Sequence, residues 1–311
     1  MKTIMNFTCT AFGIAILAIS TATTNSAPGN LFVSVNAPSG SIYKYTPPGV
    51  QSTFASGLPR PRGMDFDQAG NLFVATIDCD VFCQAGVVKI APNGTESDFA
   101  TISGSGAGLG GSGLAIERSG NVFLMVQNLD DPNLASTIFK FTPNGTQSTF
   151  ALLPSQSYDL AFDSTGNLFA ADAGSQTVYR FTPDGTATIF VGPAAFGPNQ
   201  FPVGLAFDRF GNLFVSTEGT AGSPPLDVIF KFTPQGLEST FATGVNNPRG
   251  MAFDAAGNLF VALTAEPPPG GILKFTPDGR RTTFASGFNQ QSRGPEYLTI
   301  QPPRRGPPPQ P

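Results

Sequence analysis

The stretch Ala206-Phe207-Asp208-Arg209-Phe210-Gly211-Asn212-Leu213-Phe214-Val215 consists of two apolar runs separated by a polar, glycine-bearing turn. Such a pattern predicts strand, tight turn, strand. Asp208 is placed to close an Asx-type turn on its own backbone, and Gly211 supplies the positive φ that a short hairpin needs. The same unit returns with its asparagine at Asn30, Asn71, Asn121, Asn167, Asn212 and Asn258, at spacings of 41, 50, 46, 45 and 46 residues. Nearly the whole chain is therefore six copies of one supersecondary unit.

Each copy has a constant internal order. The Gly-Asn turn is followed by an apolar strand B, such as Leu72-Phe73-Val74-Ala75, and then a variable loop. Strand C follows (Ile229-Phe230-Lys231-Phe232), then a Thr-Pro-Asp-Gly type turn (Thr182 to Gly185, Thr276 to Gly279), then strand D (Ser239-Thr240-Phe241-Ala242). Proline and glycine occupy the places such a turn demands. A second variable loop leads to strand A, for example Gly250 to Asp254, and back to Gly-Asn. Four short antiparallel strands per repeat, six times over, predict an all-β fold: a six-bladed β-propeller. Phe32, Phe73, Phe123, Phe169, Phe214 and Phe260 recur at one place in strand B, which suits packing between blades. The first repeat starts at strand B (Leu31 to Val35), and Tyr297 to Ile300 is a strand A without a following turn. The C-terminal strand is thus expected to complete the N-terminal blade and remove an open edge.

The expected organisation is a signal peptide over residues 1–27, a propeller over 28–302, and a disordered proline-rich tail over 303–311. Lys2, the apolar run Ala11 to Ile19 and the small residues around Ala22 and Ala27 carry the signal reading. The run is too short to span a bilayer. A secreted chain, extracellular or periplasmic, is expected, and a monomer. In such a compartment Cys79 and Cys83 are read as a local disulfide, the rival being a metal-binding pair.

The chain of 311 residues has no histidine, which excludes Ser-His-Asp and Cys-His nucleophiles and histidine metal ligands. Net charge is −4. One cation lies in each strand C (Lys44, Lys89, Lys140, Arg180, Lys231, Lys274), a six-fold spread without a basic patch, so no nucleic-acid partner is expected.

The unit Gly-Asn-Leu-Phe-Val-Ala, with its preceding Pro-x-Gly-Leu-Ala-Phe-Asp, resembles the NHL repeat. It is also similar to the wider six-bladed group that includes SMP-30/gluconolactonase proteins. The clearest copies are Phe201 to Asp208 and Asn247 to Ala262, and Asp172 keeps the Val-Ala-Asp-like ending. The resemblance covers about residues 29–302.

In a propeller the A–B and C–D turns share one rim and the B–C and D–A loops the other. Length variation falls in the second set: Ile77–Ala85, Gln127–Ala135, Glu218–Leu226 and Thr264–Gly270, with Ile102–Ser112, Gly192–Val203 and Gly287–Glu296. Function is expected on that elaborated face. The residues entering strand A should ring the channel mouth there: Glu296, Arg62, Ser112, Tyr158, Val203 and Arg249 in order. The gluconolactonase resemblance implies metal ligands at this position, a glutamate in the closing blade with two asparagines and an aspartate in blades three to five. Glu296 matches; Ser112, Tyr158 and Val203 do not, and Asp159 lies one place on. A calcium or zinc site on Glu296 and Asp159 would make the protein a metal-dependent lactone hydrolase. Asp159 or Glu296 acting without a metal would fit a lyase or synthase, as strictosidine-synthase-like relatives imply. The leading expectation is a binding scaffold without a cofactor, taking a small anionic molecule or a protein partner. Glu296 is expected between Arg62 and Arg249, either as a structural ion cluster or as part of an anion pocket with Tyr158. Asp78, Asp80, Asp130, Asp131 and Glu218 are read as solvated loop charges or, alternatively, loop calcium ligands.

Overall fold

The computed structural model describes residues 29–79, 83–102, 108–131, 134–219, 227–264, 270–288 and 294–302. The expected signal segment, the 303–311 tail and Asp80 lie outside the described residues. The elements follow the repeat. Blade 1 holds β1 (Leu31–Val35), β2 (Gly40–Tyr45) and β3 (Gln51–Leu58). Blade 2 is β4 (Met64–Phe66), β5 (Leu72–Cys79), β6 (Cys83–Ile90) and β7 (Glu96–Ile102); blade 3 is β8 (Leu109–Ile116), β9 (Val122–Asn128), β10 (Ser136–Phe141) and β11 (Gln147–Leu153). Blade 4 is β12 (Ser157–Phe162), β13 (Leu168–Asp172), β14 (Thr177–Phe181) and β15 (Ala187–Val191). A one-turn helix, α1 (Pro193–Phe196), precedes blade 5, which is β16 (Gln200–Phe207), β17 (Leu213–Gly219), β18 (Ile229–Phe232) and β19 (Glu238–Ala242). Blade 6 is β20 (Pro248–Phe253), β21 (Leu259–Leu263), β22 (Gly271–Phe275) and β23 (Arg281–Ala285), and β24 (Pro295–Ile300) ends the ring. The protein is a six-bladed β-propeller of four-stranded antiparallel sheets.

Closure is through β24, which pairs antiparallel with β1, Leu31 opposite Ile300 and Val33 opposite Leu298. The turn that defines the repeat is built as its residues require. In blade 5 the Asp208 Oδ1 accepts from the backbone N–H of Phe210 and Asn212, both at 2.9 Å, and Asn212 Nδ2 donates to Oδ2 at 2.7 Å. Gly211 sits at φ 81°, the left-handed region that glycine enters without strain. The same aspartate–asparagine clasp joins Asp67 to Asn71, Asp163 to Asn167 and Asp254 to Asn258.

Strand B is buried on both faces, which is why it is continuously apolar. The core is six apolar clusters, each between two neighbouring blades. The strand B phenylalanines bridge them: Phe32 meets Phe66 of the next blade edge-on at 5.0 Å, Phe169 meets Phe207 at 5.0 Å, and Phe214 meets Phe253 at 4.9 Å. Each T-shaped pair adds about 0.5–1.5 kcal/mol to area burial. The strand C lysines have a role that periodicity did not show. Lys44, Lys89, Lys140, Lys231 and Lys274 lie over the strand B phenylalanines of their own blades, 5.3–6.0 Å from the ring centroids. Cross-strand register, Phe32 opposite Lys44 and Phe214 opposite Lys231, puts them there.

One expected loop is not a loop. Over Ile77–Ala85, β5 and β6 continue pairing as far as Cys79 opposite Cys83, and a disulfide joins the two cysteines. Thr76, Ile77 and Asp78 pair with Gly86, Ala85 and Gln84, so the apparent insertion is a longer hairpin. So small a covalent ring contributes about 2 kcal/mol in the loop-entropy account.

Candidate functional site

The six A strands, β4, β8, β12, β16, β20 and β24, crowd the axis. One position in each sets the diameter of the channel: Tyr297, Gly63, Gly113, Asp159, Gly204 and Gly250 in order round the ring. Four are glycine because the next blade's backbone is too near for a Cβ. A Cβ on Gly204 would lie 2.1 Å from the Arg249 carbonyl oxygen, and one on Gly250 would lie 2.6 Å from the Tyr297 Cα. Gly204→Ala should therefore lower stability by about 1–3 kcal/mol or more, as overpacking does. Denaturant unfolding checks this, and an unchanged midpoint would show that the ring can expand.

The two side chains that break the glycine pattern stand in blades 1 and 4, on opposite sides of the axis. Tyr297 reaches across the channel. Its hydroxyl donates to the Tyr158 carbonyl at 2.9 Å and lies 3.2 Å from Ser112 Oγ, which itself donates to the same carbonyl at 2.6 Å. Burial, then the neighbouring Asp159 charge, hold the phenol above its ordinary value, so it stays a neutral donor. The tyrosine forms a strut joining blades 1, 3 and 4 beneath the mouth. Sequence reading placed Tyr297 only in the closing strand. Its departure from the glycine pattern, the same that singled out Asp159, was the available signal.

Above the strut the expected mouth residues come together, with one change of partners. Arg62 Nε lies 3.3 Å from Glu296 Oε2. Arg249 Nη2 lies 2.7 Å from Glu218 Oε1, and its guanidinium sits 5.0 Å from the centre of the Tyr158 ring. The clamp of two arginines on Glu296 is thus divided into two ion pairs. The reason is that β17 runs on to Gly219 and carries Glu218 inward beside β20. Glu218, read from the sequence as a loop charge, is a member of the site. Burial, partly offset by Arg249, raises its carboxyl above the usual range. Burial works to lower the Arg249 guanidinium, and Glu218 and then Glu296 more than reverse this. The Nε of Arg249 is buried with no hydrogen-bond acceptor among the described residues, and that of Arg62 is buried facing Glu296 as an ion pair without hydrogen-bond geometry.

Of the remaining loop acids, Asp78 is exposed, and Asp130 accepts from the Gly108 N–H at 2.6 Å.

Asp159 faces lower into the channel, a space of about 400 Å³ walled by the A strands. Its Oδ1 accepts from Leu160 N–H and its Oδ2 from Leu205 N–H in the next blade, both at 2.9 Å. Asp65 repeats the arrangement between blades 2 and 3, accepting from Phe66 N–H at 2.8 Å and Ile116 N–H at 2.9 Å. Burial, opposed by these hydrogen bonds, lifts Asp65 to about 6 and Asp159 to about 7. Both are interblade latches.

This geometry does not fit the metal centre that the gluconolactonase resemblance implies. Such a centre needs several converging oxygen or nitrogen donors. Glu296 is paired with Arg62, Asp159 has both oxygens on backbone donors, Ser112 donates to a carbonyl, and Val203 offers no ligand atom. Among the described residues no three His, Cys, Asp or Glu side chains come together as a metal would require.

No protein-family model and no curated protein sequence matches the chain. Solved structures do. A chain of a nidogen/laminin complex superposes with a TM-score of 0.68 at 15% identity, covering 89% of this chain and 99% of its own. A virginiamycin B lyase from Staphylococcus aureus, a catalytically inactive histidine-to-alanine variant solved with quinupristin, gives 0.55 at 14%, covering 84% and 86%. A putative gluconolactonase gives 0.52 at 16%, covering 77% and 81%. The resemblance to NHL-type and gluconolactonase-like six-bladed propellers thus holds at the level of the fold. At these identities it is the fold alone that is shared.

Proposed function

We propose that the protein is an exported, non-catalytic binding propeller whose channel mouth takes a small anionic ligand. The observation that carries this reading is the pair of arginines at the mouth, each held by a single carboxylate among the described residues. A guanidinium has five N–H donors, so both retain capacity for a ligand carboxylate. The Tyr158 ring beneath Arg249 fixes the orientation of one of them. The Tyr297 strut forms a floor, so the ligand would sit on the loop-elaborated face. The signal-like segment and the disulfide support export. Among the described residues no helix is long and apolar enough to cross a membrane.

Catalysis of the kinds known on this fold finds no support in these residues. The lyase relative loses activity when a histidine becomes alanine, and this chain has no histidine. The lactonase alternative needs a metal that Glu296 and Asp159 are not arranged to hold.

Calorimetry with gluconate and with galacturonate tests the reading. Wild type is expected to bind one equivalent, and an Arg62→Ala/Arg249→Ala double variant to bind at least about tenfold more weakly, a loss of about 1.4 kcal/mol. Equal binding by both proteins would refute the arginine pocket. Stoichiometric calcium or zinc binding that disappears in Glu296→Gln would restore the lactonase reading. Retention of an acidic protein partner, with no binding of either sugar acid, would make the mouth a protein interface.

A further inference from the structure

The charged side chains of the mouth come from four consecutive blades: Glu218 from blade 5, Arg249 from blade 6, Glu296 from blade 1 and Arg62 from blade 2. Their signs alternate along one arc of the ring. The remaining strand A entries, Ser112, Tyr158 and Val203 in blades 3, 4 and 5, carry no charge. Glu296 links the two ion pairs. It lies against Arg62 and, after burial, which works in the opposite sense, and after Glu218, it is the next charge acting on the Arg249 guanidinium.

Two guanidinium groups and two glutamates cancel. Asp227 adds a further negative charge. It is buried beside the end of β17, where its carboxylate accepts from Gly219 N–H at 2.8 Å and Asn247 N–H at 2.7 Å. Burial is the main cause of the raised Glu218 carboxyl; Arg249 opposes it, and Asp227 and Glu296 then add to it. A simple carboxylate entering the mouth would therefore gain on each guanidinium and lose against the glutamate already there. A ligand that brings a cation beside its carboxylate removes that loss. Each glutamate is paired with one arginine, and a carboxylate offers about four lone-pair sites, so it can also accept from an ammonium.

We infer, on the reading of the mouth as a carboxylate site, that its ligand is a zwitterion of the α-amino-acid class, a carboxylate with an ammonium on the next carbon. Spacing sets the class. Opposite charges lie 2.7 Å apart between Arg249 and Glu218 and 3.3 Å apart between Arg62 and Glu296, so the ligand's own charges must be close together to engage both members of a pair. The carboxylate goes to Arg249 and the ammonium to Glu218. Theirs is the more open pair, each side chain 23% exposed against 14% and 7% for Arg62 and Glu296. Glu296, next along the arc, adds its charge on the ammonium.

Calorimetry at pH 7 on the full chain, with gluconate, 2-amino-2-deoxygluconate and glucosamine, tests the class. The first has the carboxylate alone, the second both charges, and the third the ammonium alone. The amino acid is expected to bind about tenfold more tightly than gluconate, and glucosamine more weakly than either. Glu218→Gln removes the partner of the ammonium and frees Arg249, so it should weaken the amino acid about tenfold and tighten gluconate. Misfolding cannot move two ligands in opposite directions, and the thermal midpoint of the variant checks that it is folded. Gluconate binding as tightly as its amino analogue would overturn the zwitterion and leave the carboxylate site standing. So would a Glu218→Gln variant that moves both ligands in the same direction. Glucosamine binding as tightly as the amino acid would make the mouth a cation site and overturn both readings. Binding of none of the three would refute the carboxylate site itself, and this ligand class with it.

Discussion

A chain truncated after Arg293 should not fold to a soluble monomer. The cut removes β24, and with it the antiparallel partner of β1, the Arg62–Glu296 ion pair and the Tyr297 strut. Tyr297 and Leu298 are buried, and each such side chain contributes about 1.5–3 kcal/mol by burial alone. The apolar face of β1 would also open to water, and its unpaired edge would offer a template for association. Against a total stability of about 5–15 kcal/mol, losses of this size are decisive. The expected result is aggregation or a non-cooperative thermal transition. A truncated chain that unfolds cooperatively at the full-length midpoint would refute closure through β24. Removal of residues 304–311 alone is a matched control, and it should leave the transition where it was.

The thermal midpoint should fall as pH rises from about 5 to about 8. Asp65 and Asp159 titrate near 6 and 7 in the folded protein, against about 4 when unfolded. Below pH 4 both states hold these protons and no difference arises. Between 4 and 7 the unfolded chain releases protons that the folded chain keeps, so unfolding becomes progressively more favourable. Above 7 the loss is complete. At about 1.4 kcal/mol for each unit of displacement, the two groups together account for a fall on the order of several kcal/mol. Glu218 acts in the same direction. Asp163 acts oppositely: its burial is outweighed by hydrogen bonds from Asn167 and Thr165, which hold it below its ordinary value. That contribution is lost only as pH falls below the ordinary aspartate range, outside this window. Scanning calorimetry at half-unit intervals measures the trend. An Asp65→Asn/Asp159→Asn variant should show a flatter profile, and a wild-type midpoint that is level or rising from pH 5 to 8 would contradict the assignment.

The fold was legible because its information is local and repeated. Asp208, Gly211 and Asn212 specify a turn within five residues, and six copies of it make the inference redundant. The phase of the repeat gave the closure, since a strand B without a strand A at one end matches a strand A without a turn at the other. The site was legible only as a ring of positions. Alignment of the repeats located Arg62, Tyr158, Arg249 and Glu296 at the mouth, but the partners of each depend on how far neighbouring strands extend. Glu218 pairs with Arg249 because β17 continues past the point where the repeat ends, and nothing local marks that extension. Asp159 was picked out correctly as an exception to the glycine pattern, but a one-dimensional pattern does not show that backbone N–H groups from two blades occupy its oxygens. The longer hairpin at Cys79 and Cys83 was hidden for a related reason, since an irregular composition there masks regular pairing.

The strut at Tyr297 also sets an order of events. The residue belongs to a strand that emerges after all the blades it joins, since Ser112 and the Tyr158 carbonyl belong to blades 3 and 4. Glu296, the partner of Arg62, arrives on the same strand. Blades 2 to 6 can therefore stack one on another as they appear, but the mouth has no floor and Arg62 lacks its carboxylate until the final strand docks. The binding proposed at the mouth would thereby be tied to completion of the ring, since a nascent or nicked chain lacking that strand would present the arginines without Glu296 and the Tyr297 floor.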